Sequence, residues 1–110
     1  MNIACFISGP YSNNPEENVK IAIKAADKLI DMNILPLVPH LWYYHDIYFK
    51  RDYTIWIQLA LYMLERADFV LRLPGDSSGA DAEILKAQKM DIPIFYSFEE
   101  LQEAIDIGII

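Results

Sequence analysis

Apolar and polar positions along this chain sort into two kinds of segment. Four short runs, "IACFI", "ILPLV", "FVLRL" and "IPIFY", are rich in β-branched or aromatic residues and have the length of strands. Between them lie stretches with helical spacing. The clearest places Val19, Ala22, Ile23, Ala26, Leu29 and Ile30 on one face by the i, i+3, i+4, i+7 rule. Its start is marked by Asn14 as N-cap, Pro15 at the first helical position, and Glu16 and Glu17 in the first turn. Asn33 suits a left-handed C-cap just before the second strand. Further helices are expected over Thr54 to Arg66, Ser78 to Met90 and Phe98 to Ile105. The segment "PHLWYYHD" reads as a loop.

Strands alternating with helices predict an α/β, Rossmann-like (flavodoxin-like) parallel sheet of four to five strands with helices on both faces. With 110 residues the chain suffices for one domain, taken as residues 1–110. In open parallel sheets ligands bind beyond the carboxyl ends of the strands. The segments leaving those ends here are "SGPYSNN", "PHLWYYHD", "PGDSSGADAE" and "SFEE", and they hold nearly all the unusual residue choices.

Composition narrows the partners. Hydrophobic residues make up 54 % and charged residues 23 %, as in an ordinary globular protein, and no apolar run reaches the ~20 residues of a membrane span. The opening "MNIACFISGPYS" lacks a basic leader pattern and reads as a first strand, so the cytoplasm is the expected compartment. Nine basic residues against 16 acidic give a net charge of −7, a poor surface for polymeric nucleic acid. A small anion can still bind at a helix N-terminus. Cys5 is the single cysteine, which excludes an internal disulfide; lying within the first apolar run, it reads as a buried thiol.

Each loop admits two readings. In "SGPYSNNPEEN", Gly9 permits a tight turn, Pro10 stiffens it and Tyr11 offers a ring with a hydroxyl; this is a plain turn or a ligand-lining loop, and not a dinucleotide fingerprint. Asn18 points back towards the strand ends or is simply solvated. In "PHLWYYHDIYF" the aromatics suit core, a subunit contact or the stacking of a nucleobase, with His40 at the end of the second strand. His40, His45 and Asp46 have no recognised metal-ligand spacing, so neither a metal nor a cofactor is expected. The helix "YTIWIQLALYMLERA" is apolar around most of its circumference, which suits a homodimer or larger assembly built around Trp56 and Tyr62.

In "GDSSGADAEILKA", Ser77 or Ser78 can cap the third helix, with Asp81 completing a capping box. Capping does not account for Glu83, on the shoulder of the face made by Ala80, Ile84 and Ala87. A carboxylate so placed suits nucleophilic or acid–base work, or is a partly exposed helix glutamate whose loss leaves folding nearly unaffected.

Ser77, Gly79 and Glu83, read as S-x-G-x-x-x-E, together with the opening "ISGPYS" and "ADFV", resemble the nucleoside 2-deoxyribosyltransferase family over roughly residues 3 to 96. That group includes nucleotide N-glycosidases and small phage-type and bacterial relatives. The resemblance implies oligomers with composite sites. It makes Glu83 the nucleophile on the anomeric carbon of a nucleoside or its 5′-monophosphate, in a retaining mechanism. By the same match Tyr11 lies near the nucleophile or sugar, Ser8, Gly9 and Pro10 form part of the substrate loop, and Ser77, Ser78 and Gly79 hold the 5′ end. One element departs. The aspartate expected about eight residues before Asp68 is Ala60, so the acid that protonates the leaving base would come from Asp46, Asp52, Asp81 or a neighbouring subunit. The alternative is a module that binds nucleotides without turning them over.

Overall fold

A computed structural model describes residues 1–110. The chain forms β1 (Ala4–Ser8), α1 (Pro15–Asp31), β2 (Leu35–Leu37), a single 3-10 turn (Pro39–Leu41), α2 (Trp42–Tyr48), α3 (Tyr53–Leu64), β3 (Phe69–Arg72), α4 (Ser78–Lys89), β4 (Ile94–Phe95) and α5 (Phe98–Asp106). All strand pairs are parallel, in the order β2-β1-β3-β4. This is the expected α/β architecture, with four strands. No helix is long and apolar enough to cross a membrane.

Strand alternation divides the core in two, because successive side chains point to opposite faces. Cys5, Ile7, Phe69 and Leu71 join Ala22, Ala26 and Leu29 of α1 and Leu101 of α5 on one face. Phe6 and Val70 join Ala60 and Leu64 of α3 and Ala87 of α4 on the other. Ser8 and Arg72 follow Phe6 and Val70 by two positions, so both point to the α3–α4 face where their strands end. Burial drives the Cys5 thiol up to about 12, which leaves it an inert core residue.

Several local expectations change. Asn14 stands at the N-cap position of α1, yet with φ 62° its side chain caps nothing; its carbonyl accepts the Asn18 N–H at 3.1 Å. The buried face of α1 centres on Val19, Ala22, Ala26 and Leu29 and includes Ala25, whereas Ile23 and Ile30 are exposed at its rim. Asn33 takes the left-handed conformation as expected, with φ 62°. The segment read as a loop after β2 is largely helical. α2 buries none of its side chains fully, so it shows no apolar stripe from which a period could be read.

Candidate functional site

β1 and β3 are neighbours from which the chain leaves in opposite directions, so their carboxyl ends mark the switch point of the sheet. The two loops there are in van der Waals contact. A Cβ on Gly9 would come within 2.9 Å of Leu73 Cβ, and one on Gly75 within 2.8 Å of Pro10 Cγ. Gly75 also has φ +116°, which L side chains rarely adopt. These two glycines let the loops close together, and the Ser8 carbonyl accepts the Leu73 N–H at 2.7 Å across them. Asn18 holds the β1 loop from below, donating through Nδ2 to the carbonyls of Tyr11 and Asn13.

Above this junction, between the β1 loop, α3 and α4, lies a cavity of about 790 Å³. Gly9, Pro10 and Tyr11 line one side, Trp56, Ile57 and Ala60 of α3 another, and Ser77, Ser78, Gly79 and Glu83 of α4 a third. His40 reaches it beneath Tyr11, the two rings meeting edge-on at 6.2 Å. The sequence therefore places Gly9, Pro10, Tyr11, His40, Ser77, Ser78, Gly79 and Glu83 around one space. Of the remaining candidates, Ser8 lies buried behind Glu83, and Asn18, Asp46 and Asp81 stand outside the lining.

Glu83 is the chemically distinctive group. It projects from the second turn of α4 onto the end of β1, where the buried Ser8 hydroxyl donates to Oε1 at 2.8 Å. Burial lifts its carboxyl from 4.5 to about 7, against the opposing effects of the Ser8 hydrogen bond and the Arg72 charge. The group exchanges its proton near neutrality, as acid–base groups and nucleophiles in clefts do. Burial also raises the Tyr11 phenol, helped by the charges of Asp46, Tyr43 and Tyr53, so Tyr11 stays protonated and able to donate. Burial lowers His40, only partly offset by hydrogen bonding to the Gly9 and Pro10 carbonyls. Its Nε2 lies 3.3 Å from the Gly9 carbonyl, and a neutral ring donates there, leaving the buried Nδ1 without a partner.

The acids named as substitutes for the one missing at position 60 are otherwise engaged. Asp46 receives the Arg51 N–H at 3.0 Å, the Lys50 ammonium at 3.0 Å and the Trp56 indole N–H at 2.9 Å. These hydrogen bonds hold it down at about 2, so it carries no proton at neutral pH; it clamps α2 to α3. Asp52 caps α3 by accepting the Thr54 N–H and hydroxyl, which lower it too. The α4 cap is Ser77, whose Oγ accepts the Ala80 N–H at 3.1 Å. That choice sets Asp81 one position too late for a capping box, and its carboxylate faces Arg72 Nη2 at 3.4 Å. Ala60 is part of the cavity wall and brings no acid.

The cavity also contains groups that the motifs did not single out. Trp42 and Trp56 stack at 6.0 Å, and both line it, so Trp56 faces the cavity. Tyr53, Asp76, Lys86 and Lys89 are lining residues as well. Arg72, at the end of β3, donates to the carbonyls of Leu73 and Gly75 and so braces the loop before α4. For the two lysines the sequence-level signal was helical spacing: Lys86 and Lys89 follow Glu83 at intervals of three.

A family model described as "Domain of unknown function (DUF7768)" matches residues 3–97. None of the curated proteins matches the chain. Among solved structures, the chain is similar to the 2-deoxyribosyltransferase from the psychrotolerant bacterium Bacillus psychrosaccharolyticus, described as a biocatalyst for the synthesis of antiviral and antitumoral nucleosides. The TM-score is 0.67, with 20 % identity over 83 % of this chain and 69 % of the other. The shared feature at that identity is the fold.

Proposed function

The chain belongs to the DUF7768 family, and from the site it carries we propose that it cleaves or exchanges the N-glycosidic bond of a (deoxy)nucleoside or its 5′-monophosphate. The observation that carries this reading is Glu83: a desolvated carboxyl, held by Ser8, facing an aromatic-walled cavity at the switch point of the sheet. The fold shared with a 2-deoxyribosyltransferase supports the same reaction class.

In this mechanism the Glu83 carboxylate attacks the anomeric carbon. Desolvation makes it a stronger nucleophile than a hydrated carboxylate, and the Ser8 hydroxyl aims the attacking group. As the C1′–N bond lengthens, positive charge on the sugar ring is met by the Glu83 charge, giving a glycosyl-enzyme ester. Water or a second base then attacks C1′ from the vacated face and restores Glu83. The protonated Tyr11 phenol donates a hydrogen bond to sugar or base, and the rings of Trp42 and Trp56 supply faces for a planar base. Ser77, Ser78 and the amino end of α4 receive the 5′ group. Asp81 takes no direct part, because its carboxylate is directed to Arg72 outside the cavity.

A second reading has one observation in its favour: Ala60 stands in the wall where an acid is expected. A cavity that binds a nucleotide without turning it over would look the same there. Incubation with a panel of nucleosides and 5′-monophosphates, with chromatography of the free base, separates the two. Base release by the parent protein, lost by several orders of magnitude in Glu83→Gln, supports catalysis. Binding with no base release from any compound supports the passive module.

A further inference from the structure

Asp76 lines the cavity just before α4, and the charges that α4 itself contributes follow one another along the helix. Glu83 is followed by Lys86 and Lys89, and all three line the same cavity. At ~1.5 Å rise per residue these lysines stand about 4.5 and 9 Å further along the helix axis than Glu83. Towards the amino end, Ser77 and Ser78 lie roughly 8 to 9 Å the other way. Each step of three residues also turns about 60° round the axis, so the α4 groups that line the cavity pass on a spiral from hydroxyls, through the carboxylate, to two ammonium groups, with Lys89 at the exposed end. In a chain of net charge −7 with nine basic residues, two of the nine are placed in this cavity.

Neither lysine is consumed by a close ion pair. Lys86 is loosely paired with Glu65 at 3.5 Å, both side chains being about 40 % exposed. Lys89 has no carboxylate partner. Ile57, Ala60 and Leu61 of α3 share the lining and contribute no proton donor.

That order matches the charge separation of a breaking N-glycosidic bond, and this step rests on the function proposed above. Positive charge builds on the sugar beside Glu83, and negative charge builds on the base. With the 5′ end at Ser77 and Ser78 and the anomeric carbon at Glu83, the base extends towards Lys86 and Lys89. We propose that Lys86 and Lys89 stabilise the departing base as an anion, which replaces protonation by an acid on α3 and selects bases with an acidic ring N–H. The bond between C1′ and Glu83 Oε forms as the C1′–N bond breaks, and the electron pair of the latter leaves with the base. The base then takes a proton from water or from an ammonium group. Attack of water on the glycosyl ester releases one proton in turn, so the hydrolytic cycle balances.

The test compares uridine 5′-monophosphate with its 5-fluoro counterpart, whose base is the better anion, and with inosine 5′-monophosphate. The proteins are the parent, Lys86→Gln, Lys89→Gln, the double variant and a double Lys86→Arg, Lys89→Arg control. The glutamine double variant is expected to lose 10-fold or more in kcat/KM for uracil release and distinctly less for 5-fluorouracil, because a better leaving group needs less help. The arginine control should retain most activity and the parent's ratio between the two substrates. Circular dichroism checks that each variant is folded. Glutamine variants that release base at the parent rate, or lose equally on both substrates, overturn the lysine assignment and leave the glycosidic reading standing. A parent protein that releases base from none of the three overturns the lysine assignment, and the panel under the proposed function then decides that reading independently.

Discussion

Replacing Glu83 by glutamine should stabilise the folded protein, and by an amount that depends on pH. In the folded chain the carboxyl is displaced from 4.5 to about 7, chiefly by burial. At ~1.36 kcal/mol per pH unit, holding it ionised costs the folded state about 3 kcal/mol. The sign follows from proton uptake. Between about 4.5 and 7 the folded state binds more protons at this group than the unfolded state, so stability falls as pH rises across that window. Its contribution is fully present below 4.5 and fully lost above about 7. By linkage the accumulated loss is somewhat under ~1 kcal/mol at pH 5 and about 3 kcal/mol at pH 8. Glutamine has the same shape and can still accept from Ser8, but it does not titrate. The stability of Glu83→Gln relative to the parent should therefore improve by about 2.5 kcal/mol between pH 5 and pH 8, on the order of 10 °C in melting temperature. Buried His40 acts in the opposite direction, since its lowered basicity removes stability as pH falls; it is common to both proteins and cancels in the difference. Urea unfolding of both proteins at the two pH values measures the effect. A relative stability that stays constant within about 0.5 kcal/mol would mean that Glu83 is solvated, and the basis for a perturbed nucleophile would be gone.

Three further outcomes follow from the same geometry. Base release should rise with pH along a limb centred near 7 in kcat/KM, because the carboxylate form attacks; Ser8→Ala removes the hydrogen bond favouring that form and should move the limb upward, and a limb unmoved in Ser8→Ala would refute the coupling. A 5′-monophosphate should bind more tightly than its nucleoside, with Ser78→Ala weakening the preference and Asp76→Asn, which removes a nearby negative charge, strengthening it; equal binding of the two ligands by calorimetry would refute the 5′ pocket. The chain should sediment as a dimer or larger assembly through the exposed side chains of Ile47, Tyr48, Phe49, Ile55, Leu59 and Tyr62, and a monomer at micromolar concentration would refute it.

The order of strands and helices was legible because apolar period separates the two cleanly in β1, α1 and β3. It failed where burial is partial. α2 has no buried side chain, and Ile23 and Ile30 lie at the rim of a face whose centre is built largely from alanines. The candidate site was legible as a set of strand-end loops, since a parallel sheet brings those loops together whatever their sequence. What stayed hidden were pairings distant along the chain. Ser8 and Glu83 are 75 residues apart, and nothing local to either shows that the hydroxyl meets the carboxylate. Asp46 was open to a role as acid until its three donors were seen around it. The inward turn of Trp56 likewise depends on Trp42 and Asp46, both outside its own helix.

Trapping of the covalent intermediate decides whether Glu83 is the nucleophile. A 2-fluoro sugar slows both chemical steps by withdrawing charge from the ring, and a good leaving group restores the first, so the glycosyl-enzyme accumulates. The parent protein is incubated with a 2-fluoro nucleoside 5′-monophosphate carrying 5-fluorouracil, then analysed by mass spectrometry whole and after digestion. One added fluorosugar phosphate per chain is expected, located on Glu83 and absent from Glu83→Gln. An adduct on any other residue, or one that persists in Glu83→Gln, would contradict the assignment of Glu83 as the nucleophile.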